Sequence, residues 1–321
     1  MKALVTGIGG QDGSYLAELL LARDYEVVGI VPDLARTYES LAGVRERVEL
    51  VQTDLLDREL LLDVLRRHRP REVYNLASPS FVPISWEEPV RTAEFAAVGV
   101  TSLLEAVRTV DPRMRVYQAS SSEIFGEPRE IPQNERTPLS PVTPYGVAKA
   151  YGHFIVHSYR RRYGLHASCG ILYNHESPRR PVEFLPSKVA HAVAAISLGR
   201  EDELVLGDLG ARRDWGYAGD YVEAMWLMLQ QEEADDYVVA SGELHSVEEL
   251  VERAFALVGL DWREHVRVDE SLMRGRAELH DLVGDAARAR ERLGWAPRVD
   301  FDGLVRLLVD AALEELRSST G

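Results

Sequence analysis

The amino-acid sequence predicts an α/β fold: a doubly wound parallel sheet with a smaller C-terminal domain. Three observations carry this. Short apolar runs alternate with helix-period stretches through the first half of the chain, a glycine-rich turn follows the first run, and the regularity drops from about Asn174 onward.

In order, strands are expected at Lys2–Thr6, Glu26–Val31, Val48–Gln52, 72–76, Arg115–Ala119 and Ala167–Leu172, each an apolar run closed by a turn. Helices are expected after Gly13, Asp57, Thr92 and Tyr145, where apolar residues recur at i, i+3, i+4 and i+7, as Leu16, Leu19 and Leu20 do in the first. Pro178, Pro181 and Pro186 then break the chain ahead of a helix at 188–198. Residues 220–229 and 237–241 again read as helix then strand, and are expected to rejoin the sheet. The expected division is a dinucleotide-type domain over 1–173, rejoined by about 215–242, and a substrate domain mainly over 174–321.

The chain has 321 residues, 45% of them hydrophobic, enough to bury a sizeable core. A net charge of −15 argues against nucleic acid or an anionic membrane as partner, since both require a basic face. There is no run of roughly 18 apolar residues and no signal-peptide pattern after Met1-Lys2, so the cytoplasm is expected. The single cysteine, Cys169, excludes an internal disulfide and a cysteine-based zinc site, and reads as a small buried hydrophobe. No metal site is expected. Lysine occurs only at positions 2, 149 and 188, so each one invites a specific explanation.

Gly7-Ile8-Gly9-Gly10-Gln11-Asp12-Gly13 places glycines as GxxGxxG between the first strand and a helix beginning near Gln11. Glycine lets the backbone turn tightly and approach a pyrophosphate, whose charge is met by N–H groups at the helix start. Asp54-Leu55, Leu76-Ala77-Ser78 and Ser120-Ser121-Ser122 follow the third, fourth and fifth strands, at the sheet edge where open α/β folds bind ligands. A Rossmann sheet binding NAD or NADP is the expectation. Past the second strand, Asp33 would accept from a ribose 2′-hydroxyl while Arg36 would suit a 2′-phosphate, which leaves the choice of dinucleotide open.

Tyr145 and Lys149 stand four residues apart on a predicted helix and so share a face. The chemistry calls for a phenolate. Bringing a tyrosine from about 10 toward 7 requires about 4 kcal/mol, roughly what one cation at ~4 Å supplies at an effective dielectric near 20, so one lysine helped by the nicotinamide charge suffices. Ser121 would bond the reacting hydroxyl. Glu123 adds a carboxylate that alcohol oxidation alone does not require, and a carboxylate there can act as base and then acid.

These motifs resemble the extended short-chain dehydrogenase/reductases, and within them the GDP-mannose 4,6-dehydratase family. The resemblance runs nearly the whole chain, through 7–18, 118–126, 144–149, 173–180 and 206–229, then 241–247 and Leu293-Gly294-Trp295. It implies Ser121, Glu123, Tyr145 and Lys149 in catalysis. It places Gly7 to Gly13, Asp33, Arg36, Asp54, Leu55, Leu76, Ala77, Ser78, Ser80, Lys149, His175 and Arg180 at the cofactor. Ser85, Asn174, Lys188, Arg212, Arg276 and Glu278 fall to the nucleotide diphosphate sugar. Arginine forks suit a diphosphate, so Arg179, Arg180, Arg212 and Arg213 make chemical sense in their own right. The chain departs from the family at Pro32-Asp33, where an arginine pair is usual, at Ser78-Pro79-Ser80-Phe81, and at Arg91, where a tyrosine is usual.

The implied reaction converts GDP-mannose to GDP-4-keto-6-deoxymannose through transient oxidation at C4, with a tightly bound, recycled dinucleotide. A sugar-nucleotide epimerase or 4-keto reductase would use the same Ser121, Tyr145 and Lys149, and a dinucleotide-sensing binding protein is the non-enzyme alternative. A homodimer or homotetramer is expected.

Overall fold

A computed structural model describes residues 1–272 and 281–318. Its centre is a seven-stranded parallel sheet made of β1 (Lys2–Thr6), β2 (Glu26–Val31), β3 (Val48–Gln52), β4 (Glu72–Asn75), β5 (Arg115–Ala119), β6 (Ala167–Leu172) and, from much later in the chain, Asp236–Val239. The strands lie in the order 3-2-1-4-5-6, with Asp236–Val239 pairing parallel to β6 at the outer edge. The order reverses between β1 and β4, whose neighbouring C-terminal ends open the crevice where such sheets bind ligands.

On one face lie α1 (Gln11–Ala22) and the helix Ala218–Gln230, which bury Leu16, Leu20, Met225 and Met228 against the sheet. On the other lie α2 (Arg58–His68), α5 (Val100–Val110) and α6 (Pro144–Tyr163), which bury Leu61, Leu103, Leu104 and Val156. The short helices α3 (Ile84–Glu87) and α4 (Pro89–Ala93), with a π-helical turn at Glu94–Gly99, lead into α5. α2 starts where the Asp57 carboxylate accepts from the N–H groups of Glu59 and Leu60, both at 3.1 Å. α6 starts on Thr143, whose hydroxyl accepts from Gly146 N–H at 2.9 Å, with Pro144 in the first turn where its missing N–H costs nothing. It ends on Gly164 at φ +65°.

After β6 the chain leaves the sheet. β7 (Asn174–Glu176) pairs with a later strand, Trp215–Tyr217, and helix α7 (Leu185–Ser197) packs with Val247–Leu257 and Phe301–Ser318 around Val189, Val193, Leu250, Leu304 and Leu308. α7 begins three residues earlier than the sequence suggests, because Pro186 sits in its first turn instead of breaking it. A smaller cluster gathers Phe125, Tyr173, Val238 and Leu282 beside the end of the sheet that carries β6 and Asp236–Val239. Cys169 is fully buried in β6. No described helix is long and apolar enough to cross a membrane, and no described cluster of side chains could hold a metal ion.

Candidate active site

The glycine turn folds as a cradle at the C-terminal end of β1. Gly7 adopts φ +68°, and its carbonyl accepts from Gly10 N–H at 3.0 Å. A Cβ on Gly13 would fall 2.3 Å from that same carbonyl oxygen, so only glycine lets α1 start this close to the strand. No described side chain caps α1. Gly10, Gln11, Asp12 and Gly13 at its start line the cleft, an arrangement that fits the pyrophosphate of a nicotinamide dinucleotide.

Beside the cradle lies a cavity of about 290 Å³, lined by Gly7, Gly10, Gln11, Asp12, Gly13, Leu76, Ala77, Ser78, Ser80, Ser121, Glu123, Tyr145, Lys149, Asn174, His175 and Arg180. Strand ends and one helix bring these together from across the chain. Tyr145 and Lys149 stand on the buried face of α6, one turn apart. The Ser121 hydroxyl accepts from Glu123 N–H at 3.2 Å and is hydrogen-bonded to the Tyr145 phenol. Glu123 lines the same cavity, and its charge bears on that phenol.

Burial, with the Glu123 carboxylate adding to it, pushes Tyr145 up to about 12, although the Ser121 bond and the Arg180 guanidinium pull the other way. Burial likewise lowers Lys149 to about 8, against the opposing pull of Asp12. The Lys149 ammonium donates to the Ala119 carbonyl at 3.1 Å and stands 5.5 Å from the centre of the Tyr145 ring. The protein's own groups thus leave this phenol high, because the cost of charging a buried phenol outweighs a cation at that range, and the positive charge of the nicotinamide is the contribution still to be added.

A polar network ties the glycine turn to β7. His175 places one ring nitrogen 2.9 Å from Asp12 Oδ2 and the other 2.7 Å from the Tyr173 carbonyl, and stacks on Tyr221. Both neighbours accept, so the geometry favours a proton on each ring nitrogen. Burial opposes charge on both partners, and their mutual attraction prevails, raising His175 and lowering Asp12. Gln11 donates to the His175 carbonyl at 3.1 Å and accepts from Ser177 at 2.8 Å. The double arginine divides its labour. Arg179 turns away to Ser14 and Glu18 on α1 and lies over the Tyr15 ring, while Arg180 lines the cavity, stacks on Phe184 at 3.6 Å and faces the buried Glu176. Sequence reading missed Glu176 and the Asp12 partnership with His175, since neither position has a distinguishing residue type.

Other expected positions lie outside this cavity. The Ile8 side chain is in the core, and the Gly9 α-carbon abuts the Tyr38 ring. Asp33 and Arg36 stand exposed past β2. Leu55 is buried, and Asp54 lines a separate surface hollow with Arg91. Ser85 is buried and donates to the Val82 carbonyl at 2.7 Å. Lys188 donates to the Val205 carbonyl at 2.8 Å, Arg212 pairs with Asp281, and the Arg213 side chain reaches the Arg212 carbonyl at 2.7 Å. Arg276 and Glu278 fall outside the described residues. In the altered loop, Phe81 packs edge-on against Phe184.

Comparison with known proteins adds the family. A family model described as GDP-mannose 4,6 dehydratase matches residues 4–308. GDP-mannose 4,6 dehydratase 1 of Arabidopsis thaliana is 47% identical, over 97% of this chain and 90% of its own. The GDP-mannose 4,6 dehydratase of Homo sapiens is 44% identical, over 99% and 92%. Among solved structures, the UDP-glucose 4-epimerase of Thermus thermophilus in complex with NAD superposes with a TM-score of 0.84 at 29% identity, covering 97% of this chain and 99% of that one. With the cradle, the shared cavity and this full-length match in sequence, the chain belongs to the GDP-mannose 4,6-dehydratase family.

Proposed function

We propose that this protein dehydrates GDP-mannose to GDP-4-keto-6-deoxymannose, using NAD or NADP held through the cycle in the cradle of Gly7, Gly10 and Gly13, with His175 and Arg180 beside it. The carrying observation is Glu123 in one cavity with Ser121, Tyr145 and Lys149. Tyr145 takes the proton of the C4 hydroxyl, which Ser121 orients. Held there, a nicotinamide would supply the hydride chemistry at C4 and C6, and its positive charge would add to Lys149 and Arg180 in favouring the phenolate. The 4-ketone acidifies the C5 proton. Glu123 removes that proton and delivers it to the C6 hydroxyl, which leaves as water. Hydride at C6 leaves an enolate whose C5 takes a proton, and Tyr145 returns there the one it took from the C4 hydroxyl, so one water is lost and the sugar undergoes no net redox change.

Asn174 in the cavity supports this reading of the sugar end, and Lys188, Arg212, Arg276 and Glu278 complete the proposed contacts to the nucleotide diphosphate. Lys188 and Arg212 exchange Val205 and Asp281 for the substrate when it binds. Residues 1–173 with 215–242 serve the dinucleotide, and the remainder of 174–321 serves the sugar nucleotide. Val98, Val147, Tyr151 and Phe154 leave a stripe of apolar surface, each roughly half exposed, along α6 and the turn before α5. A second copy of the chain is the occupant that fits it, making a homodimer.

Glu123→Gln provides the test. Adding GDP-mannose to the variant loaded with oxidised dinucleotide should produce one equivalent of reduced nicotinamide and no 4-keto-6-deoxy product. Full turnover would remove Glu123 from its role. A wild-type product that keeps its C6 hydroxyl would make the protein an epimerase or reductase.

A further inference from the structure

The loop after β2 folds back over the glycine cradle and is fastened to it. Tyr38 stands against Gly9: a Cβ there would lie 2.2 Å from the ring carbon Cδ1, so the ring fills the space a side chain would take. The Tyr38 hydroxyl donates to the Asp33 carbonyl at 2.8 Å, and the Ser40 hydroxyl donates to the Gly9 carbonyl at 2.8 Å. Tyr38 thus ties the Asp33 backbone to a loop packed on Gly9 of the cradle, and Asp33 stands 20 residues beyond Gly13, the spacing at which a Rossmann acid meets the adenosine ribose. One carboxylate oxygen of Asp33 accepts from Ala35 N–H at 2.8 Å, which orients the group and leaves Oδ2 to accept from a sugar hydroxyl. Arg36, the competing cation, lies over the Tyr38 ring with its guanidinium carbon 5.8 Å from the ring centre.

We propose that Asp33, positioned by Tyr38 on Gly9, selects NAD over NADP. This rests on the reading above that the cradle holds a nicotinamide dinucleotide. A free ribose 2′-hydroxyl donates to the carboxylate, a charge-assisted bond. A 2′-phosphate instead brings like charge against Asp33 and offers it no donor, and Arg36 is engaged with an aromatic ring whose hydroxyl is tied to the Asp33 backbone. Selection here works through one attractive contact and one repulsive one. Tyr38 is a positioning residue, and Gly9 is small because Tyr38 needs the room.

The test uses NADH and NADPH as probes of the full chain stripped of dinucleotide, with dissociation constants read from the fluorescence of the reduced nicotinamide. NADH should bind at least about tenfold more tightly than NADPH. Asp33→Ser should remove most of that preference by weakening NADH and improving NADPH. Tyr38→Ala should weaken NADH about fivefold or more, and Tyr38→Phe, which keeps the ring on Gly9, should restore most of the loss. Equal or tighter binding of NADPH by the wild type, or an unchanged ratio in Asp33→Ser, overturns the proposal. NADH preference in a chain that fails to dehydrate GDP-mannose upholds this selectivity and sinks the proposed reaction, whereas NADPH preference with dehydration does the reverse.

Discussion

Replacing Lys149 by methionine should make the dinucleotide-free protein more stable at neutral pH while abolishing turnover. Lys149 is 6% exposed, and burial lowers it from 10.5 to about 8. At about 1.4 kcal/mol per tenfold change in proton affinity, the folded state carries a penalty of roughly 3 kcal/mol for holding this ammonium. Methionine fills similar volume without charge but forfeits the bond to the Ala119 carbonyl, worth about 1 kcal/mol. The net gain is about 2 kcal/mol. Its pH dependence gives the sign: the lowered value means the penalty is full below about 8, where folded and unfolded chains are both protonated, and fades as pH rises to 10.5. Above 10.5 only the lost bond remains, and the variant should be the less stable protein. Urea unfolding of stripped wild type and Lys149→Met at neutral and strongly alkaline pH measures this. A variant less stable at neutral pH, or a difference that does not change with pH, would refute the burial argument.

Three further outcomes follow from the site and its surroundings. Gly13→Ala drives a methyl into the Gly7 carbonyl and should cut retained dinucleotide per purified chain at least about tenfold, measured by mass spectrometry after denaturation. The Asp12–His175 pair should give a stability maximum: Asp12 is lowered, so its contribution is full above 3.8 and is lost as pH falls through the lowered value. His175 is raised, so its contribution is full below 6.5 and is lost as pH rises through the raised value. Melting temperature against pH should therefore carry a plateau between these limits that His175→Gln removes. Phe154→Glu, on the exposed face of α6, should halve the particle mass seen by light scattering without lowering helix content; an unchanged mass would clear that face of any role in assembly.

Much of the sheet was legible because most of its parallel strands are buried on both faces and so appear as apolar runs between turn signals. Five of the strand spans, Lys2–Thr6 among them, coincide with the expected ones, and the fourth ends one residue early at Asn75. The π-helical turn at Glu94–Gly99 was invisible, since periodicity over so few residues cannot separate it from α-helix. Pro186 misled for a definite reason: proline reads as a breaker until one knows it occupies a first turn. Side-chain direction was the larger gap. Arg179 and Arg180 are identical in a one-letter string, yet one is fastened to Glu18 and the other faces the cavity. Likewise nothing near Tyr38 in sequence points to Gly9, because the contact exists only once the loop has folded back.

The outermost strand of the sheet has a consequence for how such proteins can be rearranged. Asp236–Val239 reaches its place beside β6 only after the chain has made its long excursion through α7. A fragment ending at residue 173 would present β6, apolar and buried along its whole length, as a naked edge inviting pairing with any other chain. During synthesis that edge stays open until some sixty further residues have emerged. Grafting a new sugar pocket onto this scaffold by cutting once and pasting would therefore yield an aggregating stump, and exchange has to proceed by insertion between two fixed seams.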